Sequence, residues 1–267
     1  SGATLADLNP EDIDRIEVIR GPGGTTWGYN AVNGVVNIIS KPPEALQGGL
    51  LKFRTGTSGN DIFQTRYGGK VSDRTFYKFY ASGSITDGAE YENNGFQGDD
   101  LKKLAAGFRL DFKPFDPDDV TIEGAVSKGY YGTGQAEDQL TTSYLKAVWN
   151  RSITENTSFQ ILSHYDSSKA VYLEDPLGAA FAVDINLFNL ETQLDFYLGD
   201  AHHLIAGAGF KITEFSTTDG YQIDFANSGD TWNNYSIFIS DEYALIQETL
   251  IFTIGTKIEH NTITGYG

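Results

Sequence analysis

Cysteine and methionine are both absent from the 267 residues of this chain. The lack of cysteine excludes disulfides, thiol nucleophiles and cysteine-ligated zinc or iron–sulfur sites. Because no methionine stands at position 1, we expect the chain to be a processed form or a fragment. An excess of positive charge is also missing, since 19 Lys and Arg against 36 Asp and Glu give a net charge of −17. The sequence therefore offers no basic face of the kind that nucleic-acid binding requires.

Long apolar runs are missing as well. No stretch of roughly 18 consecutive apolar residues is present, so the sequence predicts no transmembrane helix. The first residues, Ser1–Thr4, do not combine a basic region with an apolar stretch and predict no signal peptide. These absences leave transmembrane β-barrels open, because spanning strands alternate and contain no apolar run.

From about Gln47 to the end, apolar and polar residues alternate with a period of two, which is typical of β-strands. Within 104–114, Phe108 and Leu110 fall on one face, and Arg109 and Asp111 fall on the other. No helical pattern interrupts this region, and we predict about eleven strands. The alternation recurs over 75–85, 120–127, 143–150, 159–166, 188–198, 204–212 and 250–259.

The predicted connections alternate in length. Short turns fall at 71–74, 114–119, 154–157, 199–203 and 246–248, whereas longer polar loops fall at 87–103, 129–141, 167–182 and 216–232. Short turns on one rim and long loops on the other are typical of an outer-membrane barrel. A soluble antiparallel barrel or sandwich gives the same alternation. The length of the strands and the aromatic residues near their ends favour the membrane.

Residues 1–46 differ from the rest of the chain. An acidic start, Asp7–Asp12, leads into an alternating segment over 13–20 and then a glycine-rich break at 21–24. A second predicted strand over 32–39 ends before Pro42 and Pro43, which cannot donate hydrogen bonds to a sheet. We interpret this region as a short α/β segment.

The stretch 13–41, IDRIEVIRGPGGTTWGYNAVNGVVNIISK, resembles the C-terminal end of the plug domain of TonB-dependent outer-membrane receptors. The match is long and ordered, and it is followed by the barrel pattern that this family requires. The matching residues are Ile16, Glu17, Val18, Arg20, Gly21 and Pro22 in the first half, and Trp27, Gly28, Asn30, Ala31, Gly34, Val35, Asn37, Ile38 and Ile39 in the second.

The resemblance implies a mainly β fold, in which a transmembrane antiparallel β-barrel follows the C-terminal part of an α/β plug domain. We expect the plug part at residues 1–46 and the N-terminal half of the barrel at residues 47–267. Eleven strands are half of the about 22 in the family's barrel. Half a barrel would leave two unpaired edges in lipid, so we expect the chain to be the middle of a longer protein.

The resemblance also implies a function. It predicts TonB-dependent active uptake of a scarce nutrient, of the iron–siderophore or cobalamin type, across the outer membrane of a Gram-negative bacterium. The implied partners are TonB, a small metal chelate or vitamin, and outer-membrane lipid. No nucleic acid, cofactor or enzymatic activity is implied, and the complete protein is expected to be a monomer. A signal-transducing receptor of the same architecture and a passive outer-membrane channel remain the alternatives.

The resemblance predicts the site residues of the plug. Its glycines suit tight turns and positive φ angles. Arg20 would lie inside the barrel, and we hypothesise that it pairs with an inward carboxylate. Glu242 is a candidate, and Glu123, Glu191 and Asp195 are also expected to point inward. Ordinary solvated lumen charges are the alternative interpretation. The plug-motif residues are Arg15, Glu17, Arg20, Gly21, Pro22, Trp27, Gly28, Asn30, Gly34 and Asn37.

Metal and catalytic sites receive little support from the sequence. The four histidines are scattered, with His202 and His203 in a predicted turn and His164 and His260 isolated in strands, so we predict no metal site. The long loops are acidic, which favours a neutral or cationic cargo, loops ordered by Ca²⁺, or simply a hydrophilic outer surface. No nucleophile elbow or catalytic triad is present.

Overall fold

The computed structural model describes residues 9–20, 34–56, 60–88, 100–132, 137–174, 179–219, 228–246, 249–263 and 265–266. Within these ranges the regular structure is almost entirely β-strand, with two 3-10 helices at Pro10–Asp12 and Pro43–Leu46. The strands are β1 (Ile13–Arg20), β2 (Gly34–Ser40), β3 (Gly48–Arg54), β4 (Asn60–Ser72), β5 (Thr75–Thr86), β6 (Leu101–Phe112), β7 (Asp118–Gly132), β8 (Glu137–Thr154), β9 (Thr157–Glu174), β10 (Ala179–Leu198), β11 (His202–Thr218), β12 (Gly229–Ile246), β13 (Leu250–Asn261) and β14 (Gly265–Tyr266).

Helices of the expected α/β segment are not among these elements, because the described part of residues 1–46 contains no α-helix. No helix in the described ranges is both long enough and apolar enough to cross a membrane.

Strands β3 to β14 form one twelve-stranded antiparallel sheet in which each strand pairs with its neighbours in sequence. This is the meander that the sequence predicts, with one strand more than the expected eleven, since the last strand has only two residues. The ladder is continuous over long stretches; β9 and β10, for example, pair from Glu174↔Ala179 to Thr157↔Phe196. Such regular pairing fixes which residues share a face.

The strands are longer than predicted, and two of the expected long loops are wrong. Most of 129–141 and 167–182 belongs to β7, β8, β9 and β10, and the last of these has 20 residues. At about 3.3 Å per residue and a tilt of about 45°, 20 residues rise about 47 Å, whereas the apolar band of a barrel is about 25 Å tall. We therefore expect the strands to continue beyond the membrane, where neither face needs apolar residues and the sequence looks like a polar loop.

The register divides the sheet into two chemically different faces. One row of directly opposed residues is polar across eight strands, and it runs Lys78, Arg109, Glu123, Lys146, His164, Asn189, Lys211 and Asn234. The opposite face exposes large apolar side chains, including Leu51, Phe63, Phe79, Leu104, Leu145, Leu190, Ile237, Ile239 and Ile258. We call the polar side the inner face and the apolar side the outer face. An apolar surface of this extent is stable only when lipid or protein covers it.

Strands β1 and β2 form a separate antiparallel hairpin, paired from Ile13↔Ser40 to Arg20↔Gly34. A short linker, Lys41–Gln47, joins the hairpin to β3 and packs against the inner face. Pro43 is fully buried and Leu46 is 6% exposed. Gln47 Nε2 donates to the carbonyl oxygen of Pro43 at 2.7 Å, which fixes the linker's 3-10 turn.

Gly68 on β4 makes room for the linker. A Cβ atom at this position would overlap the backbone carbonyl of Leu46, which cannot move like the end of a flexible side chain. We expect Gly68→Ala in the full-length protein to displace the linker and to make it accessible to proteases at 41–47. Limited proteolysis with mass spectrometry checks this, and Gly49→Ala, where a Cβ meets open space, is the control. Equal cleavage of the two variants would contradict the expectation.

Candidate functional site: the contact between hairpin and sheet

Asp12 is the central residue of the contact between the hairpin and the inner face. It ends the first 3-10 helix, whose N-cap is Asn9, and it is only 8% exposed. Arg66 on β4 donates to its Oδ1 atom through Nη1, and Lys78 Nζ on β5 lies 3.7 Å from Oδ2. We call these three residues, Asp12, Arg66 and Lys78, the Asp12 cluster.

The Asp12 cluster holds three charges away from water. The side chains of Arg66 and Lys78 are 13% and 6% exposed, so neither cation is well solvated. Forming such a pair adds little net stability, because desolvation offsets the attraction. Removing one partner is different, because it leaves a buried charge uncompensated and typically costs about 3–5 kcal/mol. We therefore expect removal of the Asp12 charge to weaken the docking of the hairpin.

Further polar contacts surround Asp12. Lys52 on β3 donates to Glu11 Oε1 at 2.7 Å, and the backbone N–H of Lys41 donates to the carbonyl oxygen of Asp12 at 2.7 Å. The hydrogen bond from Lys52 and its positive charge lower the pKa of Glu11. A lowered pKa means that this exposed pair contributes at neutral pH and loses its contribution as the pH falls through that pKa.

Arg109 on β6 connects the second strand of the hairpin to the inner face of the sheet. Its Nε and Nη2 atoms donate to both carboxylate oxygens of Asp111 at 2.8 and 2.9 Å, and Nη1 donates to Ser40 Oγ at 3.1 Å. Arg109 also lies directly opposite Lys78 in the ladder, where like charges repel. The carboxylates of Asp111 and Asp12 supply the compensating charge for these two cations.

A cavity of about 370 Å³ lies between the hairpin and the inner face. Four cationic side chains and two carboxylates line this cavity. The inner face beside the hairpin is therefore locally positive, although the chain as a whole is strongly acidic. Lys146 is one of the four and donates to Glu123 Oε1 at 3.1 Å. The charged lining residues are Asp12, Arg66, Lys78, Arg109, Glu123 and Lys146.

The structure describes only part of the predicted plug motif. Arg15 bonds Glu17 at 2.8 Å and Asp14 at 3.0 Å, and Asn37 donates to Glu17 from β2 at 3.2 Å. These hydrogen bonds lower the pKa of Glu17. Gly34 begins β2 with a φ of 139°, which few other residues adopt. Gly21, Pro22, Trp27, Gly28 and Asn30 lie outside the described residues.

The hypothesised pair of Arg20 and Glu242 stays a prediction. The backbone of Arg20 pairs with Gly34, but its side chain lies outside what the structure describes. Glu242 is on the inner face of β12, where its carboxylate lies 3.4 Å from Nδ1 of His203. The other nitrogen of this ring, Nε2, lies 3.1 Å from Asp195.

Histidines and carboxylates also meet elsewhere near the short turns, where His202 Nδ1 lies 2.7 Å from Asp241. Within the described ranges, no group of three or more His, Asp or Glu side chains is arranged to hold a metal ion.

Sequence reasoning missed the Asp12 cluster. Asp12 belongs to an acidic stretch without a distinctive pattern, and its partners follow 54 and 66 positions later in strands predicted only by alternation. The available signal was that Arg66 and Lys78 fall on the inner faces of neighbouring strands, two places apart in the ladder.

Comparisons with known proteins agree with this architecture. Residues 1–35 match the family described as TonB-dependent Receptor Plug Domain. The chain is 33% identical over 100 residues to the ferric enterobactin receptor PirA of Pseudomonas aeruginosa, which covers 34% of this chain and 14% of that protein. It is 22% identical over 254 residues to the vitamin B12 transporter BtuB of Vibrio vulnificus, which covers 87% of this chain and 40% of that protein.

Solved structures show the same fold. A mutant of the ferric enterobactin receptor PfeA of Pseudomonas aeruginosa aligns with a TM-score of 0.78 at 16% identity, over all of this chain and 47% of that one. The ferric-catecholate import receptor Fiu of Escherichia coli aligns with a TM-score of 0.74 at 15% identity, over 92% of this chain and 49% of that one. The chain spans less than half the length of each of these four relatives.

An antiparallel sheet with an apolar outer face and a polar inner face, carrying a docked hairpin, defines an outer-membrane β-barrel protein with an internal plug. Residues 1–35 match the plug-domain family, and the chain is similar in sequence and fold to TonB-dependent receptors of the bacterial outer membrane.

Proposed function

We propose that the protein containing this chain takes up a scarce nutrient across the outer membrane in a TonB-dependent manner. The cargo would be an iron–siderophore complex or a cobalamin. The names of the relatives support these two classes, since they include a ferric enterobactin receptor and a vitamin B12 transporter. The relatives in these comparisons are receptors and transporters, so no enzymatic activity is proposed.

The observation that carries this proposal is the docking of the hairpin through a buried ion pair. A passive channel needs an open lumen and no element fixed inside it. Here Asp12 is held by two cations of the wall, and Pro43 and Leu46 are buried beside them. An element docked in this way blocks a path until work is done on it, and TonB would supply that work.

The division into a plug part, 1–46, and a barrel part, 47–267, belongs to the same proposal. It is supported by the start of the twelve-stranded sheet at Gly48, directly after the linker. The apolar outer face would meet lipid, and the complete barrel would act as a monomer.

The experiment is an uptake assay with the full-length gene product. It would be expressed in an outer-membrane host without its own receptors for the tested compounds, with and without functional TonB. Accumulation of radiolabelled ferric enterobactin, ferrichrome and cobalamin would be followed. We expect at least one compound to accumulate only when TonB is present. Accumulation that persists without TonB would indicate a passive channel. No accumulation, with a transcriptional response to one compound, would indicate a signal-transducing receptor.

A further inference from the structure

Arg151 on β8 places a positive charge on the outer face of the sheet. Successive residues of a strand alternate between the two faces, and Arg151 follows Leu145 by six positions, so both side chains lie on the outer face. In the ladder, Arg151 pairs directly with Asp118 of β7 and with Phe159 of β9. Its side chain is 48% exposed. An exposed cation is unusual on a face that otherwise presents large apolar side chains.

The neighbours of Arg151 along this face are apolar. Trp149, two residues earlier, packs edge to face against Phe159, with the ring centroids 6.0 Å apart. Ile153, two residues later, is 55% exposed. A guanidinium between such neighbours on a surface that meets lipid is costly unless a polar group outside the protein accepts its hydrogen bonds.

Asp118 balances the charge of Arg151 without satisfying its donors. Its Oδ1 atom lies 3.7 Å from Nη1 of Arg151, which is longer than a hydrogen bond. Within the described residues, Arg151 donates no hydrogen bond and Oδ1 of Asp118 accepts none. The Asp118 side chain is only 9% exposed, whereas about half of the Arg151 side chain is exposed. The N–H groups of Arg151 are therefore left for an acceptor that approaches from outside.

A second polar pair on the outer face near the short turns shows the contrast. Nδ1 of His202 lies 2.7 Å from Asp241, and the imidazole stacks on the ring of Tyr243 with the centroids 4.6 Å apart. The pair of His202 and Asp241 is thus within hydrogen-bond distance, and the pair of Arg151 and Asp118 is not.

The position of Arg151 along β8 sets its depth. It precedes Thr154, the last residue of the strand, by three positions. At about 3.3 Å per residue and a tilt of about 45°, these three residues span about 7 Å of depth. The polar layer on each side of the hydrocarbon core of a bilayer is about 5–8 Å thick. The guanidinium therefore lies at the level where lipid phosphates meet the acyl chains, which is also the level that Trp149 prefers.

We propose that Arg151 binds the phosphodiester of one phospholipid at the rim of the barrel that carries the short turns. The planar guanidinium can donate to two phosphate oxygens at once. The rings of Trp149 and Phe159 offer an apolar surface beside it for the glycerol and the first carbons of the acyl chains. The site goes beyond the proposed function, because it requires a lipid against the outer face but neither cargo nor TonB.

A lipid titration of the full-length protein tests the proposal. Ile153→Cys introduces an attachment point for a fluorophore into a chain that has no cysteine. The protein is held in an uncharged sugar detergent, which contains no phosphate. Phosphatidylethanolamine with a nitroxide on its headgroup is then added, because a nitroxide quenches the fluorophore only at short range. We expect the quenching to saturate at a small fraction of lipid.

Variants at position 151 and a matched control make the titration specific. Arg151→Met should require about tenfold more lipid for half-saturation, the effect of losing one hydrogen bond to a charged group. Arg151→Lys should fall between the two, since it keeps the charge and loses the paired donors. Lys113→Met is the control, because Lys113 is an exposed cation that Asp119 already holds at 2.9 Å. This variant should titrate like the unmodified protein.

Four outcomes would each overturn the proposal. They are quenching that rises linearly with lipid in the unmodified protein, an unchanged titration in Arg151→Met, an equal shift in Lys113→Met, and equal quenching by a nitroxide-labelled diacylglycerol, which lacks the phosphate. Displacement of the lipid by inorganic phosphate at the same concentration would also overturn it, since free phosphate would then be the ligand. The titration contains no cargo, so failure of the uptake assay would leave it unchanged.

Discussion

Asp12→Asn in the full-length protein is expected to speed amide hydrogen exchange in β1 and β2 by about a hundredfold. The substitution keeps the size of the side chain and removes its charge, so Arg66 and Lys78 remain buried without a counter-charge. The cost of breaking a buried ion pair in this way is about 3–5 kcal/mol. The lower end of this range corresponds to about a hundredfold change in the equilibrium constant for opening of the hairpin. Amide hydrogen exchange measured by mass spectrometry reports this constant directly.

Two further variants make this result specific. Asp14→Asn removes an equal charge two residues further along the chain, where its ion pair with Arg15 is exposed, and exchange should stay near that of the unmodified protein. Adding Arg66→Met to Asp12→Asn removes one of the two cations that lack a counter-charge, so part of the protection against hydrogen exchange should return. Equal exchange in the Asp12 and Asp14 variants would mean that the cluster does not hold the hairpin.

Ile239→Arg is expected to lower the free energy of unfolding of the barrel by about 2–4 kcal/mol, the range for Arg at the midplane of a bilayer-exposed barrel face. Ile239 lies on the outer face of β12 and is 47% exposed. An arginine there would place its guanidinium in hydrocarbon. The measurement is unfolding in urea in lipid vesicles, together with the amount of receptor that reaches the outer membrane.

Ser240→Arg is the matched control, because Ser240 is the next residue and lies on the inner face opposite Gly255. A charge at that position faces the wet lumen, so we expect a much smaller loss of stability. If both arginines destabilise the barrel equally, the assignment of the two faces is wrong.

The sequence predicted the sheet well because alternation is a local property. Phe108 and Arg109 fall on opposite faces in the pattern and in the ladder alike, since successive residues of a strand point in opposite directions. The ends of the long strands were harder to predict. Beyond the membrane, segments such as 137–141 and 167–169 pair regularly but have polar residues on the outer face, and hydropathy then indicates a loop.

The contact site could not be predicted in the same way. Its central pair joins Asp12 to Arg66, and neither residue belongs to a motif. Alternation determines the face on which a residue lies, but it leaves the register between neighbouring strands undetermined by shifts of two residues. The actual register is what brings Arg66 and Lys78 to the same height as the hairpin. The family pattern did indicate the hairpin itself, because it contains both strands and Gly34 with its unusual φ.

The length of the strands has a consequence for the journey of the cargo. Paired strands rise about 47 Å, while the hydrocarbon core of a bilayer is about 30 Å thick. In the proposed transporter, the path through the barrel would therefore be longer than the hydrocarbon that it crosses, and the ends of the strands would stand in the surrounding water. An entering molecule would be enclosed by protein before it reached the depth of the lipid, so it could exchange its shell of water for the polar inner face in stages.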